Sequence, residues 1–191
     1  MIVICMFFHL VHFLNDRLFI INYLSFCYSG EPVSRASRQC RKSSVDANSK
    51  TEGHHQDWLF TRKDAKADVA WGMEMGGCER AGPRNEKKKK KESVRLKEAK
   101  ALRDQRDLLL RNIIKEGNGS CHVDTLAASN KLFLSGFVTS ASTMEALLLI
   151  NIGEGFSILW NLENAELPTQ IPQLPKIIDC CSLMLKMKVR N

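Results

Sequence analysis

Five consecutive lysines, Lys87–Lys91, open the stretch whose charge most limits what this chain can bury. Residues 79–116 hold 14 basic and 7 acidic side chains, net +7. That equals the excess of 28 Lys+Arg over 21 Asp+Glu in the whole 191 residues. The remaining segments come to 0 for residues 1–30, +1 for 31–78 and −1 for 117–191. This is a basic segment in a nearly neutral chain. Between residues 85 and 116 the composition is Glu, Lys, Arg, Ala and Leu, with no Gly or Pro, which predicts one long helix. Lys100 with Asp104 and Asp107 with Arg111 stand four apart, as surface ion pairs on a helix do. Lys115-Glu116-Gly117 supplies its stop. The apolar residues Val94, Leu96, Ala99, Leu102, Leu109 and Ile113 form no sustained heptad. A solvated helix of about 48 Å is therefore expected.

An apolar content of 44% permits a core, but the apolar residues gather at the two ends. Residues 1–28 are two apolar runs parted by Asn15-Asp16-Arg17. Such a length can span a bilayer, although Asp16 and Arg17 near its centre would each cost about 2.5–3.5 kcal/mol. Residues 29–56 are rich in Ser, Arg, Gly, Asn and His with almost no aliphatics, which predicts disorder. Over 57–75, Trp58, Ala65, Val69 and Trp71 share a helical face and Thr61 with Asp64 reads as a cap. Gly72, Gly76 and Gly77 would end that helix. Ser142-Thr143-Met144-Glu145 is a capping box before Ala146–Ile150, predicting another short helix. Pro168, Pro172 and Pro175 predict an extended linker before the apolar run Ile177–Val189.

The expected architecture is thus mostly disordered, with isolated α-helices, one long basic solvated helix and no compact globular domain. Its divisions are an apolar segment (1–28), a disordered linker with a short helix (29–82), the basic helix (83–116) and a low-order region with short apolar helices (117–191).

Chemistry-bearing motifs are sparse. His54-His55, Cys121-His122 and Cys180-Cys181 are adjacent pairs, and sequence neighbours rarely converge on one ion. No metal site and no cofactor are therefore assigned. Cys180-Cys181 reads as small apolar packing. No G-x-S-x-G, P-loop or G-x-G-x-x-G is present, so no catalytic residue is assigned and the chain reads as non-enzymatic. Lys87–Lys91 after Pro83-Arg84 fits both a nuclear-import run and a polyanion-binding run. The candidate nucleic-acid-binding residues are Arg84, Lys87, Lys88, Lys89, Lys90, Lys91, Arg95, Lys97, Lys100, Arg103 and Arg106. With no recognition motif or aromatic platform beside them, contact would be to phosphates and blind to sequence.

Residues Glu98-Ala99-Lys100-Ala101-Leu102-Arg103-Asp104-Gln105-Arg106-Asp107, behind a Lys-rich lead, resemble a stretch of plant-type suppressor-of-Ty-two chromatin proteins. In that family the basic helix runs on into a segment similar to Phe156-Ser157-Ile158-Leu159-Trp160 followed by Ala165-Glu166-Leu167-Pro168. Here the two pieces, about a fifth of the chain, are parted by residues Leu108 to Gly155. Translated intron sequence would produce such a break. The family's C-terminal histone-binding region has no counterpart. The resemblance implies a nuclear, chromatin-associated protein with non-specific DNA affinity, and histones as partners by resemblance only. Two alternatives stand beside it: a membrane-anchored protein with residues 1–28 in the bilayer and the basic segment at anionic lipid, and a truncated or mis-spliced gene-model product.

Overall fold

Residues that read as linker and short helices pair instead into a sheet. The computed structural model describes residues 26–29, 32–44, 52–62, 73–81, 88–117, 123–129, 131–140, 142–153 and 156–190. In chain order the elements are β1 (Phe26–Ser29), α1 (Arg35–Ser44), β2 (Trp58–Arg62), β3 (Met73–Arg80), α2 (Lys88–Glu116), α3 (Val123–Ser129), β4 (Phe133–Thr139), β5 (Thr143–Gly153), β6 (Phe156–Glu166), a 3₁₀ turn (Ile171–Gln173) and α4 (Lys176–Arg190). The six strands lie in sequence order, β1 to β6. All neighbours are antiparallel except β3 and β4. A parallel pair needs a long crossover, and α2 with α3 supplies it.

The mostly disordered, isolated-helix architecture is therefore corrected to a mixed sheet with helices packed on both faces. Four local expectations change with it. The Ser/Arg-rich linker contains α1, whose Ser34 caps it: the Ser34 hydroxyl accepts from the Ser37 amide at 3.3 Å. Trp58–Arg62 is strand rather than helix, and Gly76 and Gly77 lie inside β3 instead of ending a helix; residues 63–72, with the rest of that expected helix, are outside the described residues. Ser142-Thr143 does not cap a helix. The Ser140 amide donates to the Thr143 carbonyl at 2.8 Å, and their hydroxyls lie 2.6 Å apart, closing the β4–β5 hairpin. The Pro-punctuated linker holds the short 3₁₀ turn before α4.

The reason is burial on both sides. A short continuous apolar run is ambiguous between helix and strand. Leu134–Thr139 and Met144–Leu149 are buried without interruption, as strands covered on both faces are. Successive residues then face opposite layers. On one face Cys78, Phe137, Met144, Ala146 and Leu148 pack with Ala165, Leu167 and the α4 residues Cys180, Leu183 and Met187. On the other, Leu134 and Leu149 pack with Leu102 of α2, flanked by Met75 and Leu159. The segment from Leu108 to Gly155, which interrupts the family resemblance, contributes the central strands β4 and β5.

The long helix is where expected, but it is not solvated. Glu98, Ala101, Leu102, Asp104, Gln105, Arg106 and Leu108 are buried, while Leu96 is 70% exposed. Its buried stripe is half polar, so apolar spacing could not reveal it. Among the described residues no helix is long and apolar enough to cross a membrane. Residues 1–25 of the apolar segment lie outside the described residues; Phe26, Cys27 and Tyr28 pair with β2 in β1.

Candidate functional site

The face of the sheet beneath α2 concentrates carboxylates that the helix answers with its own cations. Glu145 of β5 is almost wholly buried, and both its oxygens are taken. Lys91 pairs with Oε1. Arg95 reaches Oε2 through Nε at 2.7 Å and Nη2 at 2.6 Å. Two residues beyond Arg95, Lys97 Nζ meets Oε2 of buried Glu79 at 2.8 Å. Charge-assisted bonds of this length are among the stronger ones a protein makes. These three of the eleven candidate residues serve the fold first.

The other candidates are placed differently. Lys100 is exposed and the Arg103 side chain is 54% exposed. Arg106 is buried, with Nη1 3.9 Å from Asp107. Lys88, Lys89 and Lys90 begin α2, whereas Arg84 and Lys87 fall outside the described residues.

Between the ion pairs lies a polar chain of Glu98, Gln56 and Gln105. Glu98 is fully buried, and its Oε2 accepts from Gln56 Nε2 at 3.2 Å. Gln105 Nε2 donates at 3.4 Å to both Gln56 Oε1 and the Gly76 carbonyl. The carboxyl of Glu98 is held well above the usual carboxylate range, chiefly by burial and then by the neighbouring charge of Glu79. Its Oε1 has no hydrogen-bond partner among the described residues. A glycine lies against two of the three: a Cβ on Gly77 would strike Gln56, and one on Gly136 would strike Glu98 and Leu102. The glycines let the polar side chains fit between helix and sheet.

The first helix is anchored from the same face. A register shift at Phe60/Thr61 skips Met75, so Glu74 comes opposite Thr61. Glu74 then accepts from Ser34 Oγ at 2.8 Å and from the Arg35 and Ala36 amides at 2.6 and 3.2 Å. A carboxylate there complements the positive end of a helix. Burial still raises its pKa against those hydrogen bonds.

Docking α1 beside α2 builds a feature that no single stretch of sequence displays. The Cys40 thiol of α1 donates to the Asp104 carbonyl of α2 at 3.7 Å. Arg41 places Nη2 within 3.0 and 3.2 Å of the two ring nitrogens of His54, and its Nη1 donates to the Glu52 carbonyl at 2.5 Å. Burial lowers the His54 pKa to about 4, reinforced by Arg41, Lys100 and Lys97. Arg41, Lys97 and Lys100 thus all bring positive charge to bear on the His54 ring. Exposed Arg38 and Lys42 stand three residues before and one after Arg41 on α1. Sequence reading assigned that stretch to a linker, so only its density of Arg and Lys could have signalled it.

Nothing in this arrangement resembles a nucleophile activated for catalysis. The Cys180 thiol, packed in the α4 core, is pushed up to about 11 by burial and then by Cys181. Among the described residues no group of three His, Cys, Asp or Glu could hold a metal ion. No family model, curated protein or solved structure matches the chain.

Proposed function

We propose that this chain is a non-enzymatic nuclear protein that binds DNA or a similar polyanion through phosphates, using a surface shared by α1 and α2. The observation supporting this reading is that Arg41 of α1 and Lys97 and Lys100 of α2, from separated segments, bring their positive charge together around the His54 ring. Arg38 and Lys42 extend it as exposed cations, and Arg103, 54% exposed, does so with Nη2 3.8 Å from the buried carboxylate of Asp104. The Lys87–Lys91 run leads into the same helix and doubles as an import signal. Glu145 and Glu79 retain Lys91, Arg95 and Lys97, so the phosphate-contacting set shifts toward α1. The chromatin setting rests on the resemblance of residues 98–107 alone.

Each phosphate neutralised releases condensed counterions, so affinity falls with salt in proportion to the contacts made. About 4 to 5 contacts predict a fall of roughly a hundred-fold or more between about 50 and 200 mM salt. Fluorescence anisotropy of a labelled random-sequence duplex with the full chain measures it. Arg41→Ala, Lys100→Ala and Arg103→Ala together should reduce the salt slope by about 2 to 3. A slope near zero in the unaltered chain, or one unmoved by the triple change, defeats the reading.

A further inference from the structure

β6 ends the sheet, and among the described residues it pairs only with β5. Open strand edges are normally guarded by short length, lysine, proline or a bulge. From Phe156 to Glu166 there is no Lys, Arg or Pro, and the first charge is Glu163. Of the two register shifts against β5, the one at Asn151/Gly153 leaves Ile152 of β5 unpaired and puts no extra residue into β6, and the one at Ala146/Leu147, which sets Leu162 out of pairing, comes after the first six residues. Ahead of it, Phe156, Ile158 and Trp160 alternate along the strand and so share one face. Their exposures are 66%, 46% and 58%. Three large apolar side chains in a row on an open edge are a site for strand addition.

We propose that this edge binds a second copy of the chain, β6 against β6 antiparallel, with the two-fold axis at Ile158. In that register Phe156 stands opposite the partner's Trp160 and Ile158 opposite the partner's Ile158. The order aromatic, β-branched, aromatic reads the same in both directions, which a two-fold interface requires. Directly opposed aromatic and β-branched pairs are the favourable cross-strand contacts. Glu163 and Glu166 fall beyond the overlap, where Lys186 and Lys176 of α4 already pair with them. A longer overlap centred on Asn161 would set Phe156 against a glutamate. Charge pattern therefore selects the shorter register.

An aromatic side chain offers about 150–250 Å², and at these exposures the three together leave roughly 350 Å² at most for each copy to bury. That is less than half the ~800 Å² per partner of a standard interface. The dimer is accordingly weak and concentration-dependent.

Sedimentation equilibrium of the full chain over about 5–200 µM should show mass rising from 21.6 kDa toward twice that value. Ile158→Lys sets like charges face to face on the axis and should leave monomer throughout, with an unchanged far-UV circular dichroism spectrum. Phe156→Lys alone should weaken the dimer at least ten-fold, and adding Trp160→Glu should restore it, because those positions oppose each other. Monomer at every concentration in the unaltered chain overturns the proposal. So does a dimer that survives Ile158→Lys, or failure of the folded double variant to recover it.

Discussion

The two faces of one sheet solve the same packing problem with opposite chemistry. Under α4 the buried layer is Cys78, Phe137, Met144, Ala146, Leu148, Cys180, Leu183 and Met187, and the buried polar residues that alternate onto it from β4, Ser135 and Thr139, carry no charge. Under α1 and α2 it includes Glu74, Glu79, Glu98, Gln56, Gln105 and Glu145. The strands supply both sets by alternation: Leu148 looks one way, Leu147 and Leu149 the other. A dry face is held by area removed from water. A polar face contributes where its buried groups find partners, as Glu74 and Glu145 do, and loses where they do not, as at Glu98 Oε1. The difference explains why a helix so rich in Lys and Arg can be buried along one side: part of its charge neutralises the sheet beneath it.

The contrast is broken most severely from the dry side. Leu183 is 1% exposed at the centre of the α4 layer. Leu183→Ala removes its contacts and leaves a cavity, a change that costs about 2–5 kcal/mol. Denaturant unfolding should show a lower midpoint with an unchanged slope. A loss under about 1 kcal/mol would mean that α4 is peripheral to the fold.

A smaller effect is expected from the polar side, with a functional sign. Glu145→Gln takes the charge from beneath Lys91 and Arg95. Breaking a fully buried pair costs about 3–5 kcal/mol. Here both cations are about one-third exposed and can turn to water, so about 1–2 kcal/mol is expected. The same change frees two cations for phosphate. The salt dependence of DNA binding should steepen by about 2. Weaker binding in a folded Glu145→Gln chain would place the contact surface elsewhere.

How much of this was legible in the sequence follows the same division. The extent of α2 was, because helix formers and the stop at Gly117 are local properties. Its burial was not, because the stripe Glu98, Leu102, Gln105 alternates apolar with polar and looks like an outer face. Its polar members become acceptable in a core only when Gln56, the Gly76 carbonyl and the space at Gly77 and Gly136 arrive from distant segments. β5 was misread for a similar reason: Thr143-Met144-Glu145 satisfies a capping box locally, yet Glu145 is needed by Lys91 and Arg95, fifty residues earlier. α1 was hidden by its lack of aliphatics, since it is tied down by Glu74 rather than by an apolar stripe. Of the site, the exposed cations of α2 were visible and those of α1 were not.

The finest test uses pH, because the polar face carries two groups shifted in ways that oppose each other. Glu98, facing Glu79 and Asp57 with Lys97 nearby, has its pKa raised by burial. The native chain keeps that proton at pH values where the unfolded chain has released it. This stabilisation is present below the unfolded value near 4.5 and is lost as pH rises through the folded one. His54 behaves in reverse. Its pKa is lowered from 6.5 to about 4, chiefly by burial, so its contribution is present above 6.5 and lost as pH falls toward 4. Glu98→Gln, which fixes a neutral side chain of the same shape, should therefore gain stability over the unaltered chain as pH rises from 4.5. A stability difference that does not change with pH would show that folding leaves the Glu98 pKa unshifted. The His54 ring reports the field directly by nuclear magnetic resonance, with a midpoint near 4 in the free chain. Arg41, Lys97 and Lys100 hold it down alongside burial, so phosphates docked on those cations should move the midpoint upward. If DNA binds and the midpoint stays near 4, the phosphates lie on another surface, and the basic region around His54 serves the fold alone.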